Sequence, residues 1–546
     1  MSLAVVLAGA VALASLSYDP SAPAAAPKTA VLLVVGLAAL ALSLPTTIRS
    51  RRLALTTGGA GWLLLCAWGL LTLAWADHPQ VGDLAIWLGG GAVLLRVSRL
   101  DAEEVRVAAG WAGVAVGSGS SVALAIQAAL GARGLALHGL HGNPNWLGLV
   151  LATTLPLQLD RLASEGARRT LRWWALTGSV ALTAAALLLS GSRVGWLALA
   201  VVALVCGRGP IRWWVTSLVG AALTYALVAG DLAQSLGGRW WLWRTSVNAA
   251  LTGLPWGHGM GGFPHAFLDA QGARLASWSP EQAALRFENA TTAHQEWLQL
   301  LCEGGLLAPA LLLAVLVLSF LQLRRRWRAG AATVLAVAVC TLGDAPLRQP
   351  AVIAILCLVL AATPRLQPRR GDLVLAVATL VAVAVLLPTA ASSWLGARRL
   401  TAARELPLAD RLARLGAAVK AEPQSGELAL ALGLAHLEVG EPQAALADLE
   451  RSRGLLANLG TDVAIGNAHL QLGATAAAIV AYRRALRRHP ALFRAHANLA
   501  EALRIAGDLD QAVHHLAVAR ELMPNHPKLL QTAERLRRDQ IDAATQ

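Results

Sequence analysis

Apolar runs of roughly 15 to 25 residues recur from the N-terminus to about Leu387, separated by short polar stretches. Each is long enough, or nearly so, to cross a hydrocarbon core of ~30 Å as an α-helix. Windows of ~20 residues place about 13 such helices, starting near Leu3, Thr29, Gly58, Leu84, Val105, Pro144, Trp173, Val194, Ile211, Trp297, Ala331, Pro350 and Leu373. After Trp394 the pattern changes. Charged residues return at soluble density, and residues 395–546 carry an internal period of about 34 residues, that of tetratricopeptide units. The expected fold is all-α. A polytopic transmembrane helical bundle of about 12–13 spans over 1–394 precedes a tetratricopeptide helical-repeat domain over 395–546.

The middle repeat places Gly466, Ala478, Tyr482, Ala485 and Pro490 at the positions where two antiparallel helices approach and end. The next has Ala500, Ala512, Leu516, Ala519 and Pro524 at the same offsets, and an earlier one has Gly433, Ala445 and Leu449. Residues Ala409–Pro423 read as one more second helix. Such arrays stack into a concave surface that binds a peptide or protein partner, or they cap the body beneath. Neither role makes the tail catalytic.

Composition agrees with a membrane solvent: of 546 residues, 56% are hydrophobic and 14% charged, against about a quarter charged in soluble chains. A formal net charge of +14 raises the question of nucleic acid. Its distribution answers it. The excess lies in short loops between spans, at Arg49, Arg51 and Arg52, Arg168, Arg169 and Arg172, Arg324, Arg325, Arg326 and Arg328, and Arg365, Arg369 and Arg370. That is the positive-inside pattern, so no nucleic-acid partner is expected. With those loops cytoplasmic, the N-terminus is inside. Asp77–Asp83, Ala132–Asn143, Ser190–Arg193, Asp231–Ala293, Asp344–Gln349 and the repeat tail are then outside. Residues 1–17 read as a first transmembrane helix rather than a cleaved signal, because no positive residue precedes the apolar run. Cys66, Cys206, Cys302, Cys340 and Cys357 all fall inside apolar runs, with no disulfide or zinc spacing.

The outward segments hold the candidate chemistry. Arg239 stands at outer headgroup level against the inside bias, and a guanidinium is a bidentate partner for phosphate oxygens. Arg193 lies between two apolar runs with almost no loop, where an unpaired charge is costly and partners are expected. Trp240 and Trp241 read as interfacial belt residues rather than sugar platforms. His141, His258, His265 and His294 are all external, and spacing does not choose among them.

Four stretches in order, H-G-N-P-N-W-L-G-L at 141–149, S-G-S-R-V-G-W at 190–196, G-R-W-W-L-W with L-P-W-G-H-G-M-G-G-F over 238–263, and H-Q-E-W-L-Q-L-L-C-E-G-G at 294–305, resemble the successive motifs of the O-antigen ligase and polymerase family. The resemblance covers a core of about residues 140–310. It implies that Arg193 and Arg239 are essential arginines that bind a diphosphate, and that His294 is the essential histidine. Asn143, Asn145 and Glu303 would give support. Gln295 stands where the family usually has Asn. On a helix running unbroken from His294, Glu303 would lie on the opposite side, which reads as structural.

The family moves a glycan from an undecaprenyl diphosphate carrier to an acceptor hydroxyl. The resemblance therefore implies an inner-membrane enzyme with a periplasmic active face and C-terminal domain, taking lipid A core as acceptor. Two arginines can neutralise the leaving diphosphate without a metal, and a histidine can take the acceptor's proton, with inversion at the anomeric carbon. No Asp-x-Asp set lies outside, although Asp231, Asp269, Glu281 and Glu288 do, and no cofactor is expected. The rivals are a polymerase, which would take a second lipid-linked glycan, and a protein O-glycosylating ligase, which would take a protein chain. A transporter is disfavoured, because polar residues at mid-bilayer are few.

Overall fold

The computed structural model describes residues 3–50, 55–166, 170–207, 209–228, 231–367 and 372–545. Arg51, Arg52, Arg168, Arg169, Arg369 and Arg370 lie outside the described residues. Everything regular in it is helical. The first group is α1 (Leu3–Leu16), α2 (Ala25–Ser50), α3 (Thr57–Thr72), α4 (Gly82–Val97), α5 (Ala102–Ala129), α6 (Pro144–Ser164), α7 (Leu171–Leu189), α8 (Arg193–Cys206) and α9 (Ile211–Val228). There follow α10 (Asp231–Gly253), α11 (Phe263–Leu275), α12 (Pro280–Arg286) and α13 (Glu296–Gly304). The body closes with α14 (Leu307–Arg326), α15 (Arg328–Cys340), α16 (Pro350–Leu360) and α17 (Asp372–Ala403).

Each apolar window of the sequence is occupied by helix. By length and composition α2, α5, α7, α14 and α17 are able to cross a membrane, while α1, α3, α8, α15 and α16 are shorter apolar helices. The bundle is layered by burial. Every residue of α16 is buried, so it sits at the centre. At Gly90 of α4 an added Cβ would come within 2.5 Å of Ile353 on α16, and at Gly36 of α2 within 2.9 Å of the Gly89 carbonyl. Such backbone approach between apolar helices is what small residues permit. Outside, Leu313, Val317, Leu318 and Leu321 of α14 and Val374, Val377, Val381 and Val385 of α17 are exposed. Apolar stripes of this kind face lipid in a membrane protein.

Two expectations change. The long segment 231–293 is not an open loop but holds α10, α11 and α12. The window starting at Trp297 is broken at Gly304–Gly305, with Gly305 at φ 61, so α13 is a separate nine-residue helix outside the spans.

Eight further helices form the tail: α18 (Leu408–Ala421), α19 (Gly426–Val439), α20 (Pro442–Leu455), α21 (Leu459–Gln471), α22 (Thr475–Arg488), α23 (Phe493–Ile505), α24 (Leu509–Leu522) and α25 (Pro527–Thr545). The small residues act as the repeat pattern requires. Gly466 of α21 lies flat on the ring of Tyr482 in α22, and Gly433 of α19 on Leu449 in α20, so a Cβ at either site would collide. α17 runs unbroken through Trp394 and ends at Ala403, shortly before α18.

The tail also folds back onto α11 and α12. Arg488 Nε lies 2.6 Å from Asp269 Oδ1, and the rings of Phe287 and His489 stack at 3.8 Å. Trp241, Leu275, Ala283 and Ala491 share a buried cluster. Trp241 is therefore covered by protein rather than placed in an interfacial belt, whereas Trp240 is exposed. Gly272 of α11 touches the backbone of Arg487 and Arg488 and has no room for a Cβ. Gly272→Val is expected to loosen this seam at a cost of about 1–3 kcal/mol, the usual penalty of overpacking. Protease sensitivity and amide exchange of α22 that match wild type would show that the contact does not hold the tail.

Candidate active site

The site is built around the turn Thr341–Asp344, which follows α15. The Asp344 N–H donates to the Cys340 carbonyl at 3.0 Å, and the Glu296 N–H at the start of α13 donates to the carbonyls of Thr341 (3.1 Å) and Asp344 (3.2 Å). These bonds fix α13 against the turn. The adjacent Gln295 caps α13, its Oε1 accepting from the Leu298 N–H at 2.6 Å. An amide acceptor at the cap position satisfies one of the orphan amides of the first turn, and Gln295 supplies it.

His294 stands just before this cap, in the left-handed region at φ 47. Among the described non-glycine residues no other has positive φ. Its Nδ1 lies 3.7 Å from Oδ1 of Asp344, whose side chain is 2% exposed against 43% for the imidazole. The Ala345 N–H steadies that carboxylate at 2.8 Å. One edge of His294 thus faces a buried carboxylate while the rest stays open.

Arg239 and the start of α8, which Arg193 opens, meet the same turn. Arg239 of α10 donates from Nη1 to the Gly343 carbonyl. A Cβ at Gly343 would lie 2.6 Å from Val194 and 3.6 Å from Arg239 Nη1, so the start of α8 sits on the same residue. Arg193 opens α8, with the Ser192 Oγ accepting from the Gly195 N–H at 3.2 Å. Arg193 takes no hydrogen-bond or ion-pair partner among the described residues, which leaves its donors for a ligand. Asn143 caps α6 by accepting from the Asn145 N–H at 2.7 Å. The Asn145 carbonyl in turn accepts from Ser192 Oγ at 3.4 Å. Asn145 thus ties the start of α6 to the α8 N-terminus, and among the described residues neither asparagine hydrogen-bonds to the turn.

Glu303 needs a correction of premise. His294 precedes α13 instead of opening a continuous helix, so a helical angle between them has no meaning. Glu303 is buried, accepts from Gln299 Nε2 at 2.9 Å and pairs with Arg348 Nη2 at 3.0 Å. Arg348 Nη1 lies 2.5 Å from Asp83 Oδ2. Burial pushes the Glu303 carboxyl up to about 7, against the pull of the Arg348 guanidinium. Sequence reasoning missed Asp344, read there as an outer-end residue, as well as Arg348 and Asp83. A signal existed for Arg348, which breaks the inside bias just as Arg239 does.

The geometry also sorts the histidines. His141 pairs with Ser120 Oγ at 2.9 Å. His258 Nε2 is 2.9 Å from the Ala249 carbonyl. His265 stacks on His78 at 3.6 Å, and burial lowers its pKa to about 3. Of the four external candidates only His294 is open and faces a carboxylate. The glycine-rich stretch around His258 is architectural, since the His258 and Gly259 amides donate to the carbonyls of Cys302 (2.8 Å) and Glu303 (2.9 Å), ending α13. Gly257, at φ 81, comes so near Gly305 that a Cβ would lie 2.5 Å from its nitrogen. Among the described residues no group of three or more His, Cys, Asp or Glu is placed to hold a metal ion.

A multi-helix membrane protein with an arginine, a histidine and a buried carboxylate at one turn, and a second arginine opening the helix that packs on that turn, has the outline of a membrane group-transfer enzyme. Residues 178–313 match the family model described as O-Antigen ligase, and they include Arg193, Arg239, His294 and Glu303. That segment thus matches an O-antigen ligase domain, a similarity that points to an enzyme of ligase or polymerase type. The motif at 141–149 and the Asp344 turn lie outside the matched residues.

No curated protein matches the chain. Among solved structures it is similar to MamA at 17% identity, covering 28% of this chain and 97% of that one, with a TM-score of 0.22. It is similar to the APC/C hetero-tetramer Cut9-Hcn1 at 12% identity, with 94% and 90% covered and a TM-score of 0.24. Yeast Tom70 gives 10% identity, 88% and 96% covered, and a TM-score of 0.25.

Proposed function

We propose that the chain is a bacterial inner-membrane glycan ligase that transfers an undecaprenyl diphosphate-linked glycan to a hydroxyl of lipid A core on the periplasmic face. The observation that carries this reading is the convergence of Arg239, the Arg193 end of α8 and the His294–Asp344 pair on the Thr341–Asp344 turn. Arg239 spends one donor on Gly343 and keeps its remaining N–H groups for diphosphate oxygens, and Arg193 keeps all of its own. The acceptor hydroxyl attacks the anomeric carbon and inverts it, as the carbon–oxygen bond to the diphosphate breaks and the electron pair leaves with phosphate. His294 takes the hydroxyl proton, and the imidazolium so formed faces Asp344. No cofactor takes part in this scheme. A periplasmic site fits the Arg324–Arg326 cluster, which ends a 20-residue helix of ~30 Å whose other end adjoins α13.

The test is transfer by purified enzyme from lipid-linked donor to lipid A core, with the product identified chemically. Activity is expected to survive strong chelation and to fall about 10²-fold in Arg193→Ala and in Arg239→Ala, the loss seen when one charge-stabilising donor is removed. Loss of activity in EDTA with restoration by Mg²⁺ would refute the metal-free scheme. A product in which glycan is joined only to longer glycan would make the enzyme a polymerase instead.

A further inference from the structure

A cavity of about 730 Å³ opens beside the site, between the membrane body and the first repeats. Its walls include Asp83 and Arg348, Asp344, Trp146 and Thr292 from the body, and Gln424 and Glu427 at the start of α19. The cavity therefore meets the reacting centre at Asp344, the residue that faces His294. Neither Arg193 nor Arg239 lines it. Arg239 of α10 and the end of α8 that Arg193 opens meet the turn at Gly343, whereas the cavity leads away from Asp344 towards α2, α17 and α19.

The lining has the chemistry of a carbohydrate site. Carboxylates, carboxamides, hydroxyls and one guanidinium supply donors and acceptors on several sides, and the half-buried Trp146 offers an apolar face for the C–H surface of a sugar ring. The volume falls within the ~300–1,000 Å³ usual for small-ligand sites, enough for a short oligosaccharide end and too small for a folded protein. Gln424 and Glu427 are exposed, and no hydrogen bond or ion pair of theirs to the described residues accounts for their placement at the lip. A direct displacement needs the acceptor to enter opposite the leaving diphosphate. A cavity that avoids the arginines and ends at the partner of His294 meets that need.

We infer that this cavity binds the saccharide end of the acceptor, and that the repeat domain, through Gln424 and Glu427, helps select it. The inference rests on the glycan-transfer reading above. It gives the repeat array a share in substrate choice, at the edge of the site.

The experiment uses full-length protein in nanodiscs with two acceptor probes from the host, lipid A core oligosaccharide and a repeat-unit oligosaccharide on undecaprenyl diphosphate. Glu427→Ala removes a lip carboxylate, and Gln424→Trp fills the mouth; both positions are exposed, so folding should be kept. The KM for the favoured acceptor is expected to rise about tenfold, as for loss of one or two hydrogen bonds to charged groups, with kcat and donor KM unchanged. Calorimetric binding of each free oligosaccharide, without donor, should weaken in parallel. The probe that responds identifies the acceptor source. If wild type transfers glycan and neither variant changes acceptor KM, the cavity assignment fails and the transferase reading stands. Saccharide binding that weakens in the variants, without transfer to any acceptor, would keep the cavity and remove the reaction. Transfer to a peptide acceptor alone, with neither oligosaccharide bound, would overturn the saccharide assignment.

Discussion

His294→Asn should cut glycan transfer by about 10²- to 10⁴-fold, the range for loss of a general base, while the protein stays inserted and binds its lipid-linked donor. Asparagine is the better choice than alanine because His294 sits at φ 47, a conformation asparagine adopts with little strain. A loss with His294→Ala alone would mix chemistry with a displaced α13. The deficit should appear in kcat, since the acceptor and diphosphate contacts assigned above come from other residues. Asp344→Asn, which leaves the imidazole in place but removes the charge 3.7 Å from it, should give a smaller loss and a changed pH–rate profile. Turnover of His294→Asn within about threefold of wild type would end the general-base assignment, because no positioned base contributes so little.

Much of this architecture was legible because two strong periodicities divide the chain. Apolar windows located the body helices, and the small residues of the repeats predicted contacts that Gly433 and Gly466 make. The arginines and His294 were legible for a different reason: Arg239 violates a charge bias, and the motifs occur in family order. What the sequence hid was the hub itself. Asp344 is separated from His294 by α13, α14 and α15, and no spacing rule couples a residue to a partner across three helices. The fold-back of the repeats onto α11 and α12 was hidden too. It depends on a close approach at Gly272 and on ring stacking between Phe287 and His489, neither of which leaves a periodic trace. Trp241 shows the cost of that gap, since a tryptophan read as an interfacial anchor proves to be covered by Ala491 of the tail.

Removing the charge of Arg348 should be the most damaging single change to the fold around the site. Its guanidinium joins Asp83 of α4 to Glu303 of α13, and the side chains of the three are 17%, 21% and 2% exposed. Arg348→Met keeps the apolar stem but leaves carboxylates buried without a counter-charge, a defect that costs about 3–5 kcal/mol. The damage should spread to His294, because Gln299 bonds Glu303 through Nε2 and the Ala293 N–H through Oε1. The loss should also depend on pH. Burial already lifts Glu303 from 4.5 to about 7 with Arg348 opposing it, and without the guanidinium only the hydrogen bonds from Gln299 and the Phe263 backbone oppose that burial. A carboxyl raised in the folded state adds stability below its unfolded value, and that stability is lost as pH rises through the folded value. The deficit attributable to Glu303 in Arg348→Met should therefore be small below pH 7, where the carboxyl is protonated in both folded proteins, and open as pH rises above 7, where wild-type Glu303 ionises beside the guanidinium and the variant's does not. Adding Asp83→Asn and Glu303→Gln should restore most of the melting temperature at high pH. A variant with wild-type stability at every pH, or one that the neutralising substitutions do not rescue, would show that the Asp83–Arg348–Glu303 triad does not hold α13 and His294 in place.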